Sequence, residues 1–203
     1  MNPLLLCFET ICVQHRQFSN LLPYHEARLN RTRRDLFGIA EPLNLQDRLQ
    51  IPDFVGQEKH KCRVTYGLDI VNVEWEKYLP RPIKSLRLVQ DDTIQYTYKY
   101  KNRDHLNSLH AQRGNCDDVL ILKNGLITDT SYANVALFDG SDWYTPEAPL
   151  LPGTQRAFLL GTKRILPRII RADELTNYSC IRLFNAMLSW DEAPVLAIGQ
   201  VKF

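Results

Sequence analysis

The sequence lacks several features that mark particular classes of protein. Charge of one sign is not in excess, because 25 basic residues are balanced by 23 acidic ones and the net charge is +2. Such a chain has no large electrostatic field with which to hold a nucleic-acid backbone or an anionic membrane. The five cysteines are odd in number and never form a C-x-x-C pair, which argues against a disulfide framework and a zinc site. We therefore expect no metal and no nucleic-acid partner.

Long apolar runs are also lacking. The apolar opening, residues 4–8, is stopped by Glu9 and has no basic lead-in, so it is too short for a signal peptide or a membrane span. Together with the scattered cysteines, this predicts a cytoplasmic protein that does not bind membranes.

The composition that is present is typical of a globular protein with a packed core. The chain has 203 residues, of which 44% are hydrophobic and 24% charged. The sequence Pro-Arg-Pro at 80–82 can continue neither a helix nor a central strand, so we place a domain boundary there or a few residues later. This predicts a small N-terminal α/β domain over 1–85 and a larger domain over 86–203, which would carry Lys99.

Hydrophobic periodicity and turn residues predict a mixture of strands and helices, and hence an α/β (α+β) fold. In the first domain the predicted elements are a strand over 4–13 that opens a hairpin, a helix over 24–37 closed by Gly38, a shorter helix over 42–53, and strands over 61–68 and 69–76. In the second domain they are a strand over 93–101, a helix over 102–113 capped by Asn102, a strand over 118–122, extended chain over 127–138 after the Asn124-Gly125 turn, a helix from 153 to about 165, and strands over 179–183 and 195–198.

Two lysines stand out in the predicted strand over 93–101. Alternation places Lys99 and Lys101 on one face of that strand. One interpretation is a solvent-exposed edge. The other is that one lysine is desolvated beside its like-charged neighbour, which would free its amine to form a Schiff base.

Several segments, taken in order and spacing, resemble the class IV aminotransferase and aminodeoxychorismate lyase family. They are FETI at 8–11, YHEARL at 24–29, KYKNR at 99–103, DDVLIL at 117–122, GLITDTSYAN at 125–134, LPGTQR at 151–156 and FNAMLS at 184–189. The resemblance covers roughly the whole chain, although the chain is some seventy residues shorter than a typical member. It implies a compact two-domain fold similar to D-amino acid aminotransferase, with pyridoxal 5'-phosphate bound as a Schiff base on Lys99, the lysine three residues before an Asn.

The resemblance also implies roles for residues that would bind the cofactor. Asp129 stands where the family usually carries a glutamate facing the pyridine nitrogen, and its side chain is one methylene shorter. Arg28 corresponds to the arginine that holds the phosphate, while Thr154 and Gln155, at a predicted helix start, would also donate to it. Asn134 is placed among the cofactor-binding residues. His25, beside this arginine motif, is interpreted as structural rather than catalytic.

Three further residues bear on the reaction that the resemblance implies. Thr10 occupies a first-strand position where lyase members carry threonine, and its hydroxyl could relay a proton. Asn185 and Tyr24 are placed on the substrate side. We therefore expect 4-amino-4-deoxychorismate lyase activity, which forms 4-aminobenzoate and pyruvate for folate synthesis. An amino-acid aminotransferase and a non-catalytic relative are the alternatives, and the family implies a homodimer with the cofactor in the cleft between domains.

Overall fold

The computed structural model describes residues 5–203 and divides into two compact units. The first contains the chain up to Pro80 together with Tyr98–Asn102, and the second contains Arg81–Thr97 and Arg103–Phe203. No helix in the described part of the chain is long and apolar enough to cross a membrane.

The first unit is an antiparallel sheet with a long helix packed on one face. Its elements are β1 (Cys7–Gln14), β2 (Gln17–Phe18), α1 (Leu22–Phe37), α2 (Leu45–Arg48), β3 (His60–Tyr66) and β4 (Ile70–Lys77). The strand order is β2-β1-β3-β4. The first predicted strand begins at residue 4, which lies outside the described residues. The predicted helix over 42–53 was wrong in length, because only the single turn of α2 forms, capped by the Asn44 side chain.

Helix α1 ends where the sequence predicts. Gly38 adopts a φ of 70°, a left-handed conformation that glycine accepts without a steric penalty, and its N–H bonds to the last carbonyls of the helix. On its inner face Leu22 and Leu29 pack against Cys7, Ile11 and Val13 of β1. Phe8, Thr10 and Cys12, which alternate with the residues on that face, therefore point to the opposite face of the sheet.

The segment that carries Lys99 pairs with the first unit. The Phe8 N–H donates to the Lys99 carbonyl at 2.9 Å, and the Lys101 N–H donates to the Leu6 carbonyl at 2.7 Å. Lys99 therefore belongs to the first unit, whereas the predicted boundary at residue 85 would have put it in the second domain.

The predicted strand over 93–101 was wrong. The Asp91 carboxylate accepts hydrogen bonds from the N–H groups of Thr93 and Ile94 at 2.8 and 2.9 Å. Such side-chain bonds to the backbone compete with a strand ladder, so the chain turns at this point. Only an isolated antiparallel bridge between Cys7 and Tyr100 remains.

Nine strands of the described chain form the mixed sheet of the second unit, in the order β10-β9-β8-β7-β6-β5-β13 with β11 and β12 attached beside β8. The elements are β5 (Leu86–Gln90), α3 (Asp104–Ala111), β6 (Asp118–Lys123), β7 (Leu126–Thr130), β8 (Asn134–Phe138), β9 (Trp143–Pro146), α4 (Thr154–Gly161), β10 (Leu166–Arg168), β11 (Cys180–Phe184), β12 (Val195–Ala197) and β13 (Val201–Lys202), with short 3₁₀ helices over Ala172–Asn177 and Ile198–Gln200.

Two helix boundaries in the second unit differ from the prediction. Asn102 was expected to cap α3, but the capping position is Arg103, and no side chain there bonds to the helix. Helix α4 starts at Thr154 as predicted and ends at Gly161 rather than near residue 165. The predicted Asn124-Gly125 turn is confirmed, with φ values of 53° and 74°.

Candidate functional site

The predicted site residues fall into two groups, one in each unit. In the first unit, Lys99 is half-buried, and its Nζ lies 4.8 Å from the centre of the Phe8 ring. Tyr98 and Tyr100, on either side of it, pack against the apolar core beneath α1. The predicted alternation of side chains is therefore present at residues 98–100, and it points Lys99 away from that core. Lys101 is exposed.

A buried ionic cluster joins β1 to α1. The Glu9 side chain is fully buried, and its Oε1 accepts from the Arg28 Nε at 2.9 Å. Its Oε2 accepts from the Arg28 Nη2 at 2.5 Å and contacts the His25 Nδ1 at 2.6 Å. The sequence analysis did not single out Glu9, although its carboxyl group on an apolar strand was the signal that could have revealed the cluster.

The charges in this cluster follow from its surroundings. Burial alone raises the pKa of Glu9, but Arg28 and His25 lower it by more, to about 2. Burial lowers the pKa of His25 and outweighs the opposing effect of Glu9, while Arg28 and Lys99 lower it further. At neutral pH the cluster is therefore a carboxylate paired with a guanidinium, and a neutral imidazole donates its Nδ1–H to the carboxylate.

Arg28 thus has a structural partner that the sequence did not predict. Paired bonds of this kind fix the plane of the guanidinium, which orients any other contact that the side chain makes. Its contact with a phosphate stays a prediction. His25 lies in the same cluster as Arg28, which agrees with its interpretation as a structural residue. Tyr24, the preceding residue of α1, is half-buried.

Thr10 lies on the same face of the sheet as Lys99. Its register partner on β3 is Arg63, and the neighbouring pair on this face is Phe8 with Thr65. The Phe8 ring is close to Lys99, so the structure brings the Thr10 strand position and Lys99 into one region of the first unit.

In the second unit, Asp129 and Asn134 form a buried polar pair. They face each other across β7 and β8, and the Asn134 Nδ2 donates to the Asp129 Oδ1 at 2.8 Å. The Asp129 Oδ2 accepts from the Leu151 N–H at 2.9 Å, and Asn134 also donates to the Leu151 carbonyl. A Cβ on Gly153 would lie 2.0 Å from the Asn134 Oδ1, so glycine is required at this close approach.

Burial has a large effect on Asp129. It raises the pKa of this carboxyl group to about 6, although the bonds from Leu151 and Asn134 and the charge of Arg156 lower it in part. A carboxylate can accept about four hydrogen bonds, so those from Leu151, Asn134 and the Leu150 backbone leave some acceptor capacity.

Helix α4 begins with two buried polar residues, Thr154 and Gln155. The first N–H groups of any helix lack partners within the helix and favour an anion. The next residue, Arg156, was not predicted as a site residue. Its guanidinium is buried and donates to the Pro146 carbonyl at 2.8 Å, so it holds α4 to the end of β9.

Asn185 makes the contacts of a turn residue. Its Oδ1 accepts from the Met187 N–H at 2.9 Å, and its carbonyl accepts from the Leu188 N–H at 3.1 Å. These bonds explain the residue structurally, and its substrate role stays a prediction.

Each unit carries side chains of the kinds that could hold pyridoxal 5'-phosphate. The first unit offers a half-buried primary amine, Lys99, while the second offers a buried carboxyl group, Asp129, and a helix start suited to a phosphate. Aldehyde, pyridine nitrogen and phosphate are the three groups by which a protein can hold this cofactor.

Comparisons with known proteins identify the family. A model of the family described as amino-transferase class IV matches residues 6–198. An uncharacterized protein of Haemophilus influenzae is 35% identical over 182 residues, which cover 89% of this chain and 96% of that protein.

Among solved structures, a candidate 4-amino-4-deoxychorismate lyase from Haemophilus somnus 129pt is 31% identical, with a TM-score of 0.81, over 91% of this chain and 97% of that one. A candidate amino-acid aminotransferase from Mesorhizobium loti has a TM-score of 0.80 at 20% identity, over 95% of this chain and 98% of that one. An aminotransferase from Brucella abortus, whose structure holds pyridoxal phosphate, has a TM-score of 0.71 at 14% identity, over 94% and 80%.

The last two likenesses show the fold, which is therefore the mixed α/β fold of the fold type IV aminotransferases, as predicted. The family match spans nearly the whole chain, and the Haemophilus relatives exceed 30% identity over most of it. The chain belongs to the class IV aminotransferase family of enzymes.

Proposed function

We propose that this chain is a pyridoxal phosphate-dependent 4-amino-4-deoxychorismate lyase that forms 4-aminobenzoate and pyruvate for folate synthesis. The observation that carries the proposal is the 31% identity and matching fold of the Haemophilus somnus protein, which is named as a candidate for this reaction. The threonine at position 10, on the same sheet face as Lys99, agrees with it.

The cofactor, when bound, supplies an electron sink for negative charge that develops on the substrate. Lys99 would hold the cofactor through its amine and would carry protons to and from the substrate. Thr10 orients or relays one of these protons through its hydroxyl. Thr154, Gln155, Asn134 and Arg28 would hold the cofactor in place.

Asp129 would keep the pyridine nitrogen of the bound cofactor protonated. Its pKa of about 6 means that the carboxyl group is mostly ionised at pH 7 and above, and only the ionised form attracts a protonated ring nitrogen. Aspartate reaches one methylene less than the family's glutamate, but its charge is the same.

Two measurements test the proposal. Purified wild-type protein and the Lys101→Ala control, changed at an exposed neighbour, should show the visible absorption band of lysine-bound cofactor, which Lys99→Ala should lack. Aminodeoxychorismate, supplied without a keto acid, should then yield 4-aminobenzoate and pyruvate. Turnover only with an amino acid plus a keto acid would identify an aminotransferase and reject the lyase.

The Thr10 hydroxyl allows a sharper test of the lyase step. Thr10→Val, which keeps the shape, should slow the elimination on the order of 10²-fold, while Thr10→Ser should retain most of the rate. Equal loss in both variants would mean that packing rather than the hydroxyl matters at this position.

We also propose that the enzyme is a cytoplasmic homodimer. In the first unit Val71 and Leu79 are exposed apolar side chains, 64% and 75% accessible, of the kind that protein interfaces cover. Light scattering of the purified protein should give twice the mass of the 23.6 kDa chain, and a monomer at working concentration would reject this part.

A further inference from the structure

A strip of mostly polar side chains, with the Phe8 ring among them, lies on the face of the first sheet opposite α1. Phe8 pairs with Thr65 across β1 and β3, and Thr10 pairs with Arg63, so these four side chains share a face. Lys99, whose carbonyl accepts from the Phe8 N–H, lies beside this strip.

Two positive charges flank the Phe8 ring in this strip. The Lys99 Nζ lies 4.8 Å from the ring centre, and the Arg63 Cζ lies 5.4 Å from it. An aromatic ring attracts each cation modestly, but the two cations repel each other. An anion placed beside the ring would interact favourably with both.

The strip also contains buried polar atoms without partners. The Arg63 Nε is buried and has no hydrogen-bond partner among residues 5–203. The Thr65 hydroxyl, on a residue that is 1% exposed, is also buried and also has no hydrogen-bond partner among these residues. A buried donor without an acceptor costs on the order of 1–3 kcal/mol, so a site that keeps one is expected to meet its acceptor in another state.

We propose that Arg63 binds a carboxylate group of the substrate beside Lys99. This inference rests on the proposed function, in which the substrate reacts at Lys99. It holds for either reaction of the family, because aminodeoxychorismate and amino acids both carry a carboxylate. Guanidinium is suited to this task, since it presents paired N–H donors that match the two carboxylate oxygens.

The test measures binding rather than turnover. Pyruvate, which carries a carboxylate, is titrated into the cofactor-loaded protein by calorimetry. Arg63→Met should raise the Kd of pyruvate about tenfold or more, and Arg63→Lys should recover part of the loss. Arg34→Met, at an exposed position of α1, is the matched control and should bind pyruvate as the wild type does. Methyl pyruvate, which has no charge, should not distinguish Arg63→Met from the wild type.

Two results would overturn the inference. One is an unchanged Kd of pyruvate in an Arg63→Met protein that keeps its cofactor band and its circular dichroism spectrum. The other is a weaker affinity of Arg63→Met for pyridoxal phosphate with unchanged pyruvate binding, which would assign Arg63 to the cofactor's phosphate. A wild-type protein without a cofactor band would reject the proposed function, and this inference, which rests on it, would fall with it. An intact cofactor band together with an unchanged Kd of pyruvate in Arg63→Met would reject this inference alone.

Discussion

Breaking the buried pair of Glu9 and Arg28 tests the physical account of the first unit. Arg28→Met removes the guanidinium and keeps most of its aliphatic volume. The Glu9 carboxylate is then left fully buried, with only the His25 imidazole as a partner in the cluster. The Arg34→Met variant, on the exposed face of the same helix, is the matched control.

The size of the effect follows from the charge state of Glu9. Its pKa falls from an ordinary 4.5 to about 2 in the folded protein, which corresponds to about 3 kcal/mol of stabilisation of the ionised form. Removal of one partner of a buried pair costs about 3–5 kcal/mol in other proteins. We therefore expect Arg28→Met to lower the free energy of unfolding by about 3 kcal/mol, and Arg34→Met by less than about 0.5 kcal/mol.

The assay is urea unfolding of the cofactor-free protein, followed by circular dichroism and tryptophan fluorescence. Glu9→Gln combined with Arg28→Met leaves no buried charge, so the double variant should be more stable than Arg28→Met alone. A loss below about 1 kcal/mol in Arg28→Met, together with weaker binding of pyridoxal phosphate, would refute the reasoning. Arg28 would then act only on the cofactor.

Three further predictions concern pH and packing. The pKa of both Glu9 and His25 is lowered on folding, so the stabilisation that they contribute is present at neutral pH and is lost as the pH falls. In a plot of the free energy of unfolding against pH, Glu9→Gln should therefore reduce the slope below about pH 4.5. The pKa of Asp129 is raised to about 6 in the absence of the cofactor, so the affinity for pyridoxal phosphate should fall below about pH 6; Asp129→Asn should remove this pH dependence and reduce kcat/KM on the order of 10²-fold, and an unchanged pH dependence would assign it to another group. Gly153→Ala should destabilise the protein by about 1–3 kcal/mol in thermal melts, because its Cβ would meet Asn134, and adding Asn134→Ala should recover much of the loss.

Local signals in the sequence predicted the elements that depend on local chemistry. Gly38 closes α1, and the Asn124-Gly125 pair forms the predicted turn, because both use backbone conformations that few other residues adopt. The start of α4 at Thr154 was also predicted.

The errors arose where long-range or side-chain contacts decide the structure. The alternation over 93–101 predicted a strand, but the Asp91 carboxylate binds the backbone there and turns the chain. Lys99 joins the first unit through bonds to β1, a pairing between residues about ninety apart that periodicity cannot reveal.

The site was only partly visible in the sequence for the same reason. The motifs selected Lys99, Asp129 and Asn134, whereas Glu9 and Arg63 became apparent only when register placed each beside its neighbours. A single carboxylate or arginine in a strand has no periodic signature, and only the partner across the sheet or on the helix gives it a role.

The attachment of the cofactor to Lys99 is the central claim, and it can be measured directly. The protein is incubated with pyridoxal phosphate, reduced with borohydride to fix the cofactor on its amine, digested and analysed by peptide mass spectrometry. We predict that the reduced cofactor is found on Lys99 of the 99–103 segment and is lost in Lys99→Ala. A label on Lys101 or on scattered surface lysines, unchanged in Lys99→Ala, would contradict the account.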